Sequence, residues 1–224
     1  MSYANGPRIV TDGLVLHLDA ANRKSYPGSG STWYDLSGNG NNGTINSGVS
    51  YIYNSGGYFN FNGSTGGSVT LPLLSTARAS ITMLAITNMP SSDGGAIFYN
   101  GDLGGYGFGI GGSNYDNVGN NAIGLYQIIR WIDTNIDWGT GWMLAGLLIN
   151  SSGVPFLIKN GNIVGSISGT IPNLPVNNAF LGTDRNSGRF FAGDIATATF
   201  YNRELSLSEI QQNYNAIKGR YGLS

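Results

Sequence analysis

Alternating apolar positions indicate short β-strands along most of the chain. In residues 14–18, three leucines alternate with Val15 and His17, which is the period-2 pattern of a strand with one buried face. This pattern places His17 on the face opposite the leucines. Further strand candidates are separated by clusters of glycine, serine and asparagine, and they cover residues 58–61, 69–71, 81–88, 96–99, 107–110, 124–131, 142–149, 155–159 and 178–182.

The second half of the chain contains a hairpin signal and a long alternating segment. Asn160-Gly161 separates two apolar runs and predicts a type I′ turn, because both turn residues tolerate positive φ. Residues 192–201 alternate over ten positions and predict a half-buried strand. By contrast, residues 24–48 are rich in turn formers and predict a long loop pinned by Trp33, Tyr34 and Leu36.

The end of the chain changes from a period of 2 to a helical period. Ser206 and Glu209 have the spacing of a capping box, and Leu205 and Ile210 have the spacing of a hydrophobic staple. One apolar face continues through Ile217. The sequence therefore predicts one short C-terminal helix.

Composition supports an all-β domain. The chain has 224 residues, of which 36 are glycine and only 10% are charged, so helical bundles and charged disordered tails are poor alternatives. No linker or charge block divides the chain. We expect an antiparallel two-sheet β-sandwich with one short C-terminal helix, in which residues 1–12 form an N-terminal arm and residues 13–224 form one domain.

The charge balance argues against two classes of partner. Eleven lysines and arginines are scattered among 12 aspartates and glutamates, so the chain has no basic stripe for nucleic acid. No apolar run reaches the length of a membrane span, and residues 1–7 do not resemble a signal peptide. We therefore expect no nucleic-acid or membrane partner and synthesis in the cytoplasm.

The catalytic candidates are few, and the sequence predicts that the chain is not an enzyme. It has no cysteine, and its single histidine, His17, has no G-x-S-x-G partner motif. The two glutamates, Glu204 and Glu209, both fall at the C-terminal helix, where Glu209 is explained by the capping box. Asp133 and Asp137 are close in sequence but are interpreted as loop residues, so the paired carboxylates of a glycosidase are not expected.

Two blocks of sequence resemble a known family. Residues 13–22 (GLVLHLDAAN), 25–30 (SYPGSG) and 33–44 (WYDLSGNGNNGT), together with 191–196 (FAGDIA) and 200–206 (FYNRELS), resemble concanavalin A-like, laminin-G-like (LamG) jelly-roll domains found in tailed-bacteriophage virion proteins. The resemblance implies a sandwich of two curved sheets. Across the family this fold serves glycan binding, protein binding or particle architecture, so the fold alone does not define the function.

The resemblance implies a virion location and two functions. The first is a non-enzymatic virion structural protein, a capsid decoration protein that docks on major capsid or tail proteins through residues 2–11 and through its sheet edges. Such edges would also permit homo-oligomers. The alternative is a carbohydrate-binding adhesion module of a tail fibre or head fibre that recognises host surface glycans.

Glycan binding would use exposed aromatic and amide side chains. Trp138 lies in a short turn next to Gly139 and is predicted to be an exposed stacking platform. Tyr106 and Tyr115 are predicted in loops, with Asn114 beside Tyr115. The alternative for each tryptophan is burial in the core.

Calcium is the one cofactor that the resemblance suggests, because related sandwiches carry it at a loop rim. Asp19, Asp35 and Asp194 lie in the matching blocks and supply the oxygen ligands that calcium prefers. The family's acidic block appears here as residues 61–66 (FNGSTG), without a carboxylate. The alternative is that Asp35 and Asp194 cap turns through side-chain hydrogen bonds.

Overall fold

Two β-sheets form the body of the protein. The computed structural model describes residues 7–54, 56–89, 95–102, 106–112, 122–127, 130–170, 174–184 and 189–224. The first sheet contains β1 (Leu14–Asp19), β4 (Val49–Ile52), β5 (Tyr58–Asn62), β7 (Ile81–Met89), β12 (Gly141–Ile149), β13 (Pro155–Lys159), β14 (Asn162–Ser166) and β16 (Ala192–Tyr201). The second contains β2 (Thr32–Trp33), β3 (Gly43–Ile45), β6 (Val69–Leu71), β8 (Ala96–Asp102), β9 (Tyr106–Gly112), β10 (Ala122–Gln127), β11 (Arg130–Asp137) and β15 (Ala179–Leu181).

The predicted antiparallel β-sandwich with a C-terminal helix is confirmed. The first sheet has the order β14-β13-β12-β7-β16-β5-β4, with β1 paired to β16, and the second has the order β11-β10-β9-β8-β15-β6-β3-β2. Large apolar side chains from both sheets fill the space between them, among them Trp33, Phe59, Phe98, Phe108 and Phe200. Burial of these side chains is the main stabilising contribution to the sandwich.

The C-terminal helix adds a third layer. Helix α1 (Leu207–Ile217) packs Ile210, Tyr214 and Ile217 on the outer face of the first sheet, in a second apolar cluster. The first sheet is therefore covered on both faces. Among the described residues, no helix is long and apolar enough to cross a membrane.

The packing of α1 on the outer face of the first sheet explains why β16 is buried along almost its whole length, where the sequence predicted a half-buried strand. Ala198 and Phe200 lie in the inner cluster, whereas Ala196 and Tyr201 lie in the outer one. The register shifts between Ile195 and Thr197. This irregularity changes which side chains face inward.

A similar shift corrects the expectation for β1. The pairing with β16 is irregular between Leu14 and Leu16, so Leu14 packs in the outer cluster while Leu16 and Leu18 pack in the inner one. The three leucines therefore do not share one face.

The local turn and cap predictions are confirmed. Asn160 and Gly161 have φ of 48° and 80° and join β13 to β14 as a tight hairpin. Ser206 accepts a hydrogen bond from the backbone of Glu209, whose carboxylate accepts one from the backbone of Ser206 in return.

Two segments differ from the prediction. Residues 24–48 do not form one long loop, because they contain β2 and β3. These strands have two and three residues, which is too short to show a period. Residues 124–131 are not one strand either: they span the end of β10 and the start of β11. The backbone of Asp133 and Asp137 consequently lies in β11 and not in a loop.

Candidate functional site

An aromatic cluster closes the sandwich where β2 and β4, the edge strands of the two sheets, approach each other. Trp33 of β2 lies 4.5 Å from Phe59 of β5, measured between ring centroids. Tyr26 lies 4.8 Å from both Phe59 and Tyr51, the latter on β4. We call these four residues the seam cluster. Edge-to-face and tilted contacts of this kind fix ring positions, so the cluster forms a rigid base.

Two tyrosines project from the chain next to this base. Tyr53 follows the end of β4 and is 73% exposed, and Tyr34 follows Trp33 and is 45% exposed. The Arg23 guanidinium lies 5.8 Å from the centre of the Tyr53 ring and donates a hydrogen bond of 3.2 Å to the carbonyl of Pro27. Lys24 is the next residue and is also exposed.

Two hydrogen bonds join Tyr34 to Ser25, the residue after Lys24. The Tyr34 amide donates to the carbonyl of Ser25 at 2.7 Å, and the Ser25 hydroxyl donates to the carbonyl of Tyr34 at 2.6 Å. Tyr34 is therefore fixed beside the turn that carries Arg23 and Lys24. We call Arg23, Lys24, Tyr34 and Tyr53 the Tyr53 surface.

The C-terminal segment holds the loop that begins at Tyr53. The Tyr221 hydroxyl donates to the carbonyl of Gly57 at 3.1 Å, and the Tyr221 ring lies 4.8 Å from Trp142. Gly57 has φ of 83°, and a Cβ there would lie 2.9 Å from the Tyr51 hydroxyl oxygen. This position therefore requires glycine.

Asp19 and Asp35 both accept hydrogen bonds from within the protein. Asp19 accepts two hydrogen bonds from Arg220, at 2.8 and 2.9 Å. Asp35 accepts from the backbone amides of His17, Ser37 and Asn41. Across the described ranges, neither Arg23 nor Lys24 forms an ion pair with a carboxylate, so the Tyr53 surface carries an excess of positive charge.

The predicted glycan platform at Trp138 is wrong. Its side chain is only 2% exposed and packs in the inner cluster, which leaves no ring face for a sugar. Burial of this large apolar ring outweighs the loss of a partner for its indole N–H, which has no hydrogen bond within the described residues. Tyr106 begins β9 and does not lie in a loop. The side chain of Tyr106 and all of Asn114 and Tyr115 lie outside the described residues.

The three candidate calcium ligands have separate roles. No group of three or more histidine, aspartate or glutamate side chains is placed to hold a metal in the part of the chain that is described. Asp35 makes the predicted turn hydrogen bond to Ser37, whereas Asp194 does not cap a turn. Instead, Asp194 accepts hydrogen bonds from Asn60 and Asn88, at 2.7 and 2.8 Å, across neighbouring strands. The placement of Asp19, Asp35 and Asp194 thus gives the predicted calcium site no support.

His17 is largely buried, and its backbone is hydrogen-bonded to Asp35 and Leu36. Burial lowers its pKa from the ordinary value, the negative charge of Asp19 opposes this effect, and the positive charge of Arg220 adds to it. Its Nδ1 has no hydrogen-bond partner among the described atoms. The imidazole is therefore neutral at pH 7 and does not contribute to the positive charge of the Tyr53 surface.

A polar depression lies beside the start of β7 and the segments that follow β12 and β14. It has a volume of about 450 Å³ and is lined by Ala77, Arg78, Ala79, Ser151, Ser152, Gly153 and Thr170. None of the described residues that line it is aromatic. Among the described residues, the Tyr53 surface therefore offers a ring for stacking on a ligand, whereas this depression does not.

Part of the predicted arm belongs to the folded body. Val10 is 7% exposed, its amide donates to Asn213, and its carbonyl accepts from the Tyr201 hydroxyl. Gln212 donates to the carbonyl of Arg8. Residues 8–10 are thus attached to α1 and β16. The division of the chain after residue 12 stays a prediction.

Comparison with known proteins identifies the fold. No protein-family model and no curated protein sequence matches this chain. It is similar to Trypanosoma rangeli sialidase in complex with sialic acid, with a TM-score of 0.71 and 15% identity over 97% of this chain and 36% of that one. It is also similar to the binding domain of Paraclostridial Mosquitocidal Protein 1 (TM-score 0.67, 15% identity, 95% and 56% coverage) and to the receptor binding domain of botulinum neurotoxin C/D mosaic serotype (0.66, 15%, 92% and 51%).

These similarities correct the expectation that the chain is not an enzyme. The chain spans about a third of the length of the sialidases, which are enzymes, and about half of the toxin domains. The fold therefore gives no reason to exclude catalysis. At 15–18% identity the likeness shows the fold alone, so it transfers neither an activity nor a substrate to this chain.

Proposed function

We propose that this protein is a recognition module that binds saccharide on a receptor or cell surface, and that it binds through the Tyr53 surface. The proposal rests on the position of Tyr53. This residue is 73% exposed, follows the strand that supplies Tyr51 to the seam cluster, and lies beside the Arg23 guanidinium. The fold is shared with a sialidase that holds sialic acid and with two toxin binding domains, and this similarity supports a binding role.

The chemistry of a tyrosine suits this role. Its ring offers an apolar face for the C–H groups of a sugar, and its hydroxyl can form a hydrogen bond at the rim. Only two side-chain torsions have to be fixed on binding, so the entropy cost is small. Because Arg23 already lies against the ring, part of that cost is met before the ligand arrives.

A glycan array and titrations on the best glycans test the proposal. Tyr53→Ala should weaken binding by about tenfold or more, as expected for the loss of a central aromatic contact. Leu174→Ala is the matched control, since Leu174 is another large exposed apolar side chain, at 54%. It should leave binding unchanged.

Two results would redirect the proposal. Normal binding by Tyr53→Ala, with loss of binding in Tyr106→Ala or Tyr115→Ala, would move the site to the residues first predicted from the sequence. Release of free sugar from a bound glycan in the same samples would add a catalytic function to the binding function.

The sequence resemblance, but not the structural similarity, points to a location for this protein. The sequence blocks at the two ends of the chain suggest display on a bacteriophage particle, but neither the sialidase nor the two toxin binding domains support a virion or capsid role. Docking through residues 2–11 is also weakened, because Val10 is engaged within its own domain. We therefore propose the adhesion function without a particle location.

A further inference from the structure

We infer that the ligand of the Tyr53 surface is an anionic saccharide, whose carboxylate or sulfate group pairs with Arg23 and Lys24. This inference rests on the saccharide-binding function proposed above. It adds the charge of the ligand and the two residues that select for it.

The Arg23 guanidinium is held in a position in which it can bind an anion. A guanidinium carries five N–H donors, and within the described structure Arg23 uses one, in the bond to the carbonyl of Pro27. That bond and the contact with the Tyr53 ring hold the planar group in place. A fixed guanidinium can pair with both oxygens of a carboxylate or sulfate in parallel hydrogen bonds.

The local charge balance also favours an anionic ligand. Arg23 and Lys24 are adjacent and exposed, and neither pairs with a carboxylate in the described part of the chain. Asp19 is engaged by Arg220, and Asp35 is engaged by backbone amides. Because no carboxylate of the described residues pairs with either cation, an anion from a ligand meets little competition there.

The ring and the positive charge of the Tyr53 surface correspond to the two parts of a charged sugar. A charged sugar presents an apolar C–H face next to its acidic group, and the Tyr53 surface presents a ring next to the Arg23 guanidinium, with Lys24 as the following residue in the chain. The turn that carries the cations is fixed by a hydrogen bond of 3.0 Å from the Lys24 amide to the Asn22 side chain. The spacing of ring and charge is therefore set before binding.

Titration calorimetry with sialyllactose, sulfated lactose and plain lactose tests the inference on the whole chain. The wild type should bind one or both charged sugars at least about tenfold more tightly than lactose, as expected for a charge-assisted pair. Raising the salt from about 0.05 M to about 0.5 M should reduce this preference, because exposed charges are screened.

Single substitutions test whether Arg23 and Lys24, and not the overall charge of the protein, select the charged sugars. Arg23→Gln and Lys24→Gln should each weaken binding of the charged sugars several-fold. Lys24→Gln should leave lactose binding within about twofold, whereas Arg23→Gln should weaken lactose binding less than it weakens the charged sugars, because Arg23 also lies against the Tyr53 ring. Arg8→Gln is the control: it removes the same charge from an exposed position at the start of the folded body and should have no effect.

The outcomes distinguish this inference from the proposed function. Equal binding of charged and neutral sugars, still lost in Tyr53→Ala, would overturn the inference and leave the function intact. Binding of none of a broad set of glycans would overturn both. Binding to phosphatidylserine vesicles but to no charged sugar would also overturn the inference, because the anion would then belong to a lipid.

Discussion

At the scale of single residues, His17 shows how burial links protonation to stability. Burial lowers its pKa below the ordinary value of 6.5, so the unfolded chain takes up the proton at a higher pH than the folded protein does. Below about pH 6.5 the unfolded state therefore binds more protons than the folded state. The stability attributed to neutral His17 is complete above that value and decreases as the pH falls through the lower, folded pKa.

The resulting prediction concerns the pH dependence of unfolding. Between about pH 7 and pH 5, the free energy of unfolding of the wild type should decrease more steeply than that of His17→Gln, because only the wild type has this proton to bind. Urea denaturation at a series of pH values measures both curves. Parallel curves over this range would contradict the assignment.

Glu209 gives a second residue-scale prediction, in a different pH range. Its carboxylate pairs with Arg203 at 2.6 Å and accepts from Ser206, and these contacts lower its pKa to about 2. Glu209→Gln should cost about 1 kcal/mol at pH 7, since it weakens a helix cap and a partly exposed ion pair. The cost should disappear as the pH falls from 4.5 toward 2, where the wild-type carboxylate also becomes neutral.

Glu204→Gln is the control for this measurement. It removes the same charge from a carboxylate that lies outside the capping box and accepts from the Ser151 amide at an exposed position. Its effect should be less than half that of Glu209→Gln. An equal effect would show that general charge, and not the cap, stabilises the helix.

At the scale of secondary-structure elements, the sequence predicted what depends on neighbours in the chain. The Asn160-Gly161 hairpin and the capping box at Ser206 are set by local backbone geometry, and both are confirmed. The double burial of β16 depends on a helix packed against it from outside, which no local pattern shows. Strands β2 and β3 depend on pairing partners and are too short for a period.

The hairpin between β13 and β14 gives a prediction at this scale. Gly161 has φ of 80°, and a Cβ there would lie 3.0 Å from the Tyr214 ring. Gly161→Ala should therefore lower the free energy of unfolding by about 1–2 kcal/mol, from backbone strain and from crowding against α1. Gly219→Ala is the control, because that glycine has no positive φ and no atom within 4 Å of an added Cβ. It should change stability by less than about 0.5 kcal/mol.

At the scale of the whole molecule, composition predicted the fold class but not the surface. Many glycines and few charges indicate an all-β protein, and the structure confirms it. Which aromatic residues stay exposed depends on where the strands end. Tyr53 leaves the sheet because β4 ends at Ile52, whereas Trp138 turns into the core between β11 and β12. The sequence therefore suggested Trp138 as a platform and gave no reason to choose Tyr53.

A crystal structure of the protein soaked with sialyllactose would show where the sugar binds. We predict that the sugar lies against the Tyr53 ring, with its carboxylate within hydrogen-bonding distance of Arg23 or Lys24. Sugar bound in the depression lined by Arg78 and Thr170, or at the segment that contains Tyr115, with the Tyr53 surface empty, would contradict saccharide binding at the Tyr53 surface.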